Sequence, residues 1–253
     1  MIKIFIISLV QDTDRQEFMK SQFSQYNVPF EFFNAVDGRI LNDTEKEKLY
    51  DDKKYKIINK TTAPMLPGLL GCSLSHKEIY KKMIESNIER ALIIEDDARL
   101  KPDFFNLLNY FNELPINNYA IKLEKCVSWV SDNNKKNARF TPWHRIKLTD
   151  DYFIGQPLTD PSLTWGYYID IKAAESLCNI MPKIFLAPDA WWYFRKYIKL
   201  RMINKAIIGT NREDFSSTIW EGHEDIPLTT SEKIRKVIKK IGKVFYFFIN
   251  IFR

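Results

Sequence analysis

The 253-residue chain is poor in cysteine and glycine, with three of the first and eight of the second. Cys72, Cys126 and Cys178 are odd in number and far apart, with no C-x-x-C pair. That argues against a disulfide framework or a zinc ribbon, and makes a reducing compartment the simplest setting. The glycines form no G-x-x-x-x-G-K-[ST] loop, which weighs against a phosphate-cradling nucleotidyl- or phosphotransferase. H-E-x-x-H is missing too, so a zinc protease is unsupported. No stretch of about 18 apolar residues occurs, and nothing reads as a membrane-spanning helix. No internal repeat is visible. With 45% apolar and 28% charged residues the chain is neither disordered nor fibrous. It is long enough to bury a core without covalent staples.

Charge is unevenly distributed along the chain. The chain carries 38 Lys/Arg against 32 Asp/Glu. Seven of those bases lie in residues 231–253 (Lys233, Arg235, Lys236, Lys239, Lys240, Lys243 and Arg253), with one acid, Glu232. Removing the segment leaves 31 bases and 31 acids, a neutral body. A nucleic-acid binder needs a basic face on the folded domain, so that function is disfavoured.

The opening run Met1–Val10 is apolar but has no small-residue cleavage site after it, and reads as a buried first strand rather than a signal peptide. The sequons at 42–44 and 59–61 carry no meaning in a cytoplasmic protein. Strands are expected at 3–9, 29–36, 91–94, 120–123 and 164–169. Helices are expected at 14–26, 44–50, 68–87, 104–114 and 172–181. The polar patch 131–137 reads as a solvated loop. Alternating strands and helices predict an α/β domain with a mostly parallel sheet covered on both faces. Ligands bind such sheets beyond the carboxyl ends of the strands. No linker is evident before about residue 226, which divides the chain into a domain over 1–226 and a tail over 227–253.

Glu95-Asp96-Asp97 follows the apolar run Ala91-Leu-Ile-Ile94 directly. Three carboxylates at the end of one buried strand repel, and the crowding calls for a counter-ion. A hard divalent cation suits it, since Mg²⁺ and Mn²⁺ take one or two carboxylates together with phosphate oxygens. First and third acids with one residue between resemble the D-x-D spacing of nucleotide-sugar enzymes. The plainer reading is a strand-end turn.

Gly68-Leu-Leu-Gly71-Cys-Ser-Leu-Ser75-His76-Lys-Glu-Ile-Tyr80, followed by Ala91-Leu-Ile-Ile-Glu95-Asp96-Asp97-Ala98, resembles glycosyltransferase family 25. Those enzymes include the lipooligosaccharide galactosyl- and glucosyltransferases of Gram-negative bacteria and relate to the collagen galactosyltransferases. Further elements fall in order: Ile4–Leu9 with Asp14-Arg15, Phe32–Gly38 with its A-x-D-G turn, Thr164–Ala174, Pro188-Asp189, and Ser216–Ile219. The resemblance spans roughly residues 1–220.

It implies a GT-A-type, Rossmann-like nucleotide-sugar-binding fold and an inverting transfer from a UDP-sugar, UDP-galactose or UDP-glucose, assisted by Mn²⁺ or Mg²⁺. Glu95 and Asp97 are then the metal ligands, and Asp96 reaches the ribose or sugar. Ser8, Arg15, Asp37, Ser75 and His76 join Asp96 on the donor side. Each has a plainer reading: a local ion pair for Arg15, a turn for Asp37, ordinary helix packing for Ser75 and His76. Asp189 is the expected base, with Glu124, Asp150 and Asp151 as rivals. Trp191-Trp192-Tyr193-Phe194 beside it suits sugar stacking or core packing. His223 is a further metal-ligand candidate. Two other functions stay open: a peripheral scaffold that has lost catalysis, and a nucleotidyl- or phosphotransferase.

From Ser231 the chain reads as a basic amphipathic helix with Ile234, Val237, Ile238 and Ile241 at helical spacing, leading into Phe245–Phe248. This is the pattern of an interfacial anchor. Each base near an anionic leaflet contributes about 1 kcal/mol. The expectation is a peripheral enzyme at the cytoplasmic face of the inner membrane, meeting a lipid-linked oligosaccharide acceptor. The competing readings are packing on the body or binding of a partner helix.

Overall fold

A computed structural model describes residues 2–124 and 140–210. The loop expected at 131–137, Cys126, the Ser216–Ile219 element, His223 and the basic tail lie outside the described residues.

Chain order is β1 (Lys3–Ser8), α1 (Thr13–Phe23), β2 (Glu31–Asn34), α2 (Asp43–Leu49), α3 (Asp52–Asn59), α4 (Pro67–Glu85), β3 (Arg90–Glu95) and β4 (Ala98–Leu100). There follow α5 (Pro102–Asn106), α6 (Leu108–Glu113), β5 (Tyr119–Lys122), β6 (Ile146–Lys147), β7 (Phe153–Gly155), β8 (Gly166–Asp170), α7 (Ile171–Ile180), α8 (Trp191–Phe194), β9 (Lys199–Ile203) and β10 (Ile208–Thr210). Eight strands form one sheet in the order β2-β1-β3-β8-β5-β9-β7-β6, and β10 pairs with β4 beside it. Six of the eight run in one direction, and β8 and β7 run against them. The mostly parallel expectation holds, with a reversed strand at the centre.

Strand alternation explains the two-faced core. In β1, Phe5 and Ile7 join Leu70, Leu74 and Ile79 of α4 and Leu177 of α7 on one face. Ile4 and Ile6 point the other way, to Met19 and Phe23 of α1 and Phe104 and Phe111 of α5 and α6. Each such fully buried side chain contributes about 1.5–3 kcal/mol. β3 and β8 alternate likewise, with Tyr167 on the first face and Tyr168 on the second.

The helix expected over 104–114 is two helices. Leu107 sits at φ −94°, ψ −3°, a turn conformation that breaks the run while Phe104 and Phe111 both stay buried. Helix α3 was not anticipated. It is capped by Asp51, whose side chain accepts from Lys54 N–H at 2.9 Å.

Two glycines set the distance between the loop after β2 and α4. A Cβ on Gly38 would lie 2.0 Å from the Pro67 carbonyl oxygen, and one on Gly71 would lie 2.3 Å from that of Val36 and 2.5 Å from Gly38 N. Neither position has room for a side chain. Ser75 fastens the same contact: its Oγ accepts from Val36 N–H at 2.8 Å and donates to the Gly71 carbonyl at 2.7 Å.

Candidate active site

Strands β1 and β3 pair in parallel with Ile7 opposite Glu95, so their carboxyl ends finish together. β8 runs the other way, and the segment leading into it, Leu163-Thr164-Trp165, arrives at the same rim. The loop after β2, the first turns of α4 and the loop before α8 complete a cavity of about 400 Å³. Ser8, Arg15, Asp37, Ser75, Glu95, Asp96, Asp97 and Asp189 all line it, together with Arg39, Cys72 and Trp165. A larger hollow of about 530 Å³ lies beside α1, walled by Phe23, Val28, Pro29 and Phe30. Lys20 is the one ionisable side chain in its wall, so the acid-lined cavity is the candidate site.

The three acids have three different environments. Asp96 is buried and its Oδ1 accepts from Arg15 Nη1 at 2.9 Å. Burial raises its pKa above the ordinary carboxylate range, and Arg15 pulls against that without cancelling it. Glu95 lies below the ordinary range. Burial pushes its carboxyl up, and His76, the Thr164 hydroxyl and Lys122 more than offset the push. Thr164 Oγ1 donates to Glu95 Oε1, and His76 Nε2 stands 3.7 Å from the same oxygen. Asp97 faces the cavity.

The other expected residues are placed as follows. Asp37 is gripped by its neighbour: Arg39 donates from Nε to Oδ1 at 2.8 Å and from Nη2 to Oδ2 at 2.9 Å, which lowers the Asp37 pKa. Ser75 is spent on the glycine contact described above. His76 is 1% exposed and sits behind the cavity wall. Asp189 is half-buried, and its Oδ2 accepts from Leu163 N–H at 3.3 Å. The rival bases stand elsewhere. Asp150 and Asp151 are exposed and paired with Lys147 and Lys205. Glu124 is wholly buried against Lys122 and does not line the cavity.

Of the two readings of the aromatic run beside Asp189, core packing holds for Trp191 and Phe194. Trp191 and Phe194 are core residues at 0% and 2% exposure, three positions apart on one side of α8, while Trp192 turns outward. Trp191 packs edge-on against Tyr167, with centroids 5.2 Å apart. It forms no sugar-stacking platform.

Leu163 is a knot that spacing did not reveal. It adopts φ +70°, an unfavourable conformation for a branched residue, which persists only where the surroundings impose it. Its N–H is held by Asp189, and its carbonyl accepts from Trp191 Nε1 at 2.9 Å and from Lys122 Nζ. Lys122 also pairs with Glu124, and both are 1% exposed. The available signal was a lysine inside the apolar run Ala120–Leu123 and a glutamate directly after it.

With this geometry in place, the comparisons with other proteins are decisive. The model for glycosyltransferase family 25 (LPS biosynthesis protein) matches residues 1–192. The chain belongs to glycosyltransferase family 25. A glycosyltransferase 25 family member of Aedes aegypti is 36% identical over 108 residues, 40% of this chain and 17% of that protein. Procollagen galactosyltransferase 1-B of Xenopus laevis is 30% identical over 191 residues, 71% of this chain and 28% of that protein. The family 25 chain thus matches under a third of the length of either relative. A solved glycosyltransferase involved in glycosylation of the major capsid of PBCV-1 aligns over 72% of this chain and 68% of its own, at 13% identity and a TM-score of 0.33. That likeness is too weak to carry an argument.

Removing one partner of a buried ion pair leaves the other charge uncompensated, at a cost of about 3–5 kcal/mol, whereas replacing both is near neutral. Lys122→Met should therefore destabilise the protein by about that amount in urea unfolding, and Lys122→Met with Glu124→Leu should recover most of the loss. A single variant as stable as the parent would contradict the buried pair.

Proposed function

We propose that this family 25 protein transfers a hexose from a UDP-sugar to a hydroxyl of a lipid-linked oligosaccharide, with inversion, on a GT-A-type fold. Galactose is preferred over glucose as the donor sugar, a choice supported by the naming of the Xenopus relative as a galactosyltransferase. The observation that carries the reading is the acid triplet at the end of β3, sharing one cavity with Asp189.

The residues fit a divalent cation. Glu95 and Asp97, two residues apart at the end of β3, both border the cavity and offer hard carboxylate oxygens, and Asp96 between them accepts from Arg15. Mn²⁺ or Mg²⁺ held by Glu95 and Asp97 would supply charge neutralisation for a departing diphosphate. The rest is done by the chain. Arg15 adds a fixed positive charge beside the acids and keeps Asp96 in place. Thr164 orients Glu95. Asp189, held by the Leu163 N–H, accepts the proton of the acceptor hydroxyl as that oxygen bonds to the anomeric carbon and the UDP oxygen leaves from the opposite face. Leu163 links the two sides, since its neighbour Thr164 holds Glu95 while its own amide holds Asp189.

The neutral body suits local handling of the diphosphate rather than a broad positive field. We place the basic segment 231–253 against an anionic leaflet at the cytoplasmic face, where a lipid-linked acceptor resides.

UDP release from UDP-galactose with Mn²⁺ should be measurable. Asp97→Asn should abolish it. Asp189→Asn should lower kcat by about 10²–10⁴-fold with UDP affinity unchanged. Parental kcat in Asp189→Asn would remove it as the base, and failure of the parent to bind UDP would end the transferase reading. The full chain should sediment with vesicles of anionic lipid and be released by salt. Reversing Lys236, Lys239, Lys240 and Lys243 to Glu should abolish that binding. Undiminished binding would contradict the anchor.

A further inference from the structure

One cluster at the edge of the cavity has chemistry that a hard-cation site does not use. Cys72 and His76 are four residues apart on α4, hence on one helix face. Glu95 comes to meet them from the end of β3. One ligand atom from each of the three lies within 4.8 Å of the other two. Ligands on a zinc tetrahedron stand about 3.5 Å apart, given Zn–N and Zn–S lengths of about 2.0 and 2.3 Å.

His76 provides the independent observation. It is 1% exposed, and its Nε2 makes no hydrogen bond, although buried polar atoms are nearly always paired. Nε2 is directed toward Glu95 Oε1 at 3.7 Å, beyond hydrogen-bonding distance. The other ring nitrogen is fully engaged. Nδ1 is hydrogen-bonded to Tyr167 Oη at 2.7 Å, and Tyr80 Oη supports that hydroxyl at 2.6 Å. Metal-bound histidines are held this way: one nitrogen is anchored to an outer partner so that the other faces the ion.

We propose that Cys72, His76 and Glu95 form a site for a thiophilic divalent cation of the zinc type, overlapping the Glu95–Asp97 pair assigned above at Glu95. Thiolate, imidazole and carboxylate together select zinc over magnesium or manganese. Cys72 and Glu95 border the cavity, so an ion they held would be reached from it. Glu95 belongs to both sets. A zinc ion here draws Glu95 from the donor side and lowers transfer, a consequence that rests on the proposed function. The binding itself does not.

The test is a titration of the full-length, metal-free protein with Co²⁺ in excess Mg²⁺, followed by absorption and repeated in competition with Zn²⁺. The expected result is one equivalent bound with a thiolate-to-cobalt charge-transfer band, displaced by Zn²⁺. The band should vanish in Cys72→Ser and persist in Cys126→Ser and Cys178→Ser. Tyr167→Phe should weaken binding about 10–100-fold, as loss of an outer partner does. Absence of the band in the parent protein, or its persistence undiminished in Cys72→Ser, overturns the proposal. The titration needs no turnover, so it reads the site even if the chain proves inactive with UDP-sugars.

Discussion

Three consecutive carboxylates at the end of one buried strand are the constraint around which this protein is organised. Glu95, Asp96 and Asp97 cannot share one environment without strong mutual repulsion, and the fold separates them. Arg15, delivered by α1, takes Asp96 at 2.9 Å. Thr164, delivered by the segment before β8, takes Glu95 from another side, with His76 behind it. Asp97 borders the cavity. The parallel pairing of β1 with β3 brings Arg15 close, and the reversal of β8 brings Thr164 to the same rim. Sheet topology and site electrostatics are in this sense one arrangement.

A second layer of support consists of backbone contacts rather than charges. Gly38 and Gly71 let the loop after β2 touch α4, and Ser75 pins it there. Leu163, strained at φ +70°, is held at its amide by Asp189 and at its carbonyl by Trp191 and Lys122. The buried Lys122–Glu124 pair is therefore a strut beneath the loop that joins the two sides of the cavity. This explains why a lysine ends the otherwise apolar strand β5 and a glutamate follows two residues later.

Much of this was legible in the sequence. β1, β3 and α4 announce themselves by apolar runs and helical spacing, and the order of the motifs carried the family. Eight of the nine expected site residues border one cavity, His76 standing just behind it. What could not be read is what depends on the third dimension. Periodicity gives no strand direction, so the reversal of β8 was invisible. The break at Leu107 is a local turn inside a continuous helical pattern. The run Trp191–Phe194 suits stacking or packing equally in one dimension; Trp191 and Phe194 prove to be core, because three residues of separation put them on one buried side. Asp37 was found as a cavity residue, but nothing in A-x-D-G said that Arg39 would grip it in two places.

The central claim is that the outer acids of the triplet hold the ion that meets the donor diphosphate, with Asp96 kept apart by Arg15. A crystal structure of the protein with UDP and Mn²⁺, with the metal located by its anomalous signal, tests this most directly. The account predicts one manganese ion between the diphosphate and Glu95 and Asp97, with the Arg15–Asp96 pair intact. Manganese and UDP bound away from Glu95 and Asp97, for instance in the hollow beside α1, would contradict it.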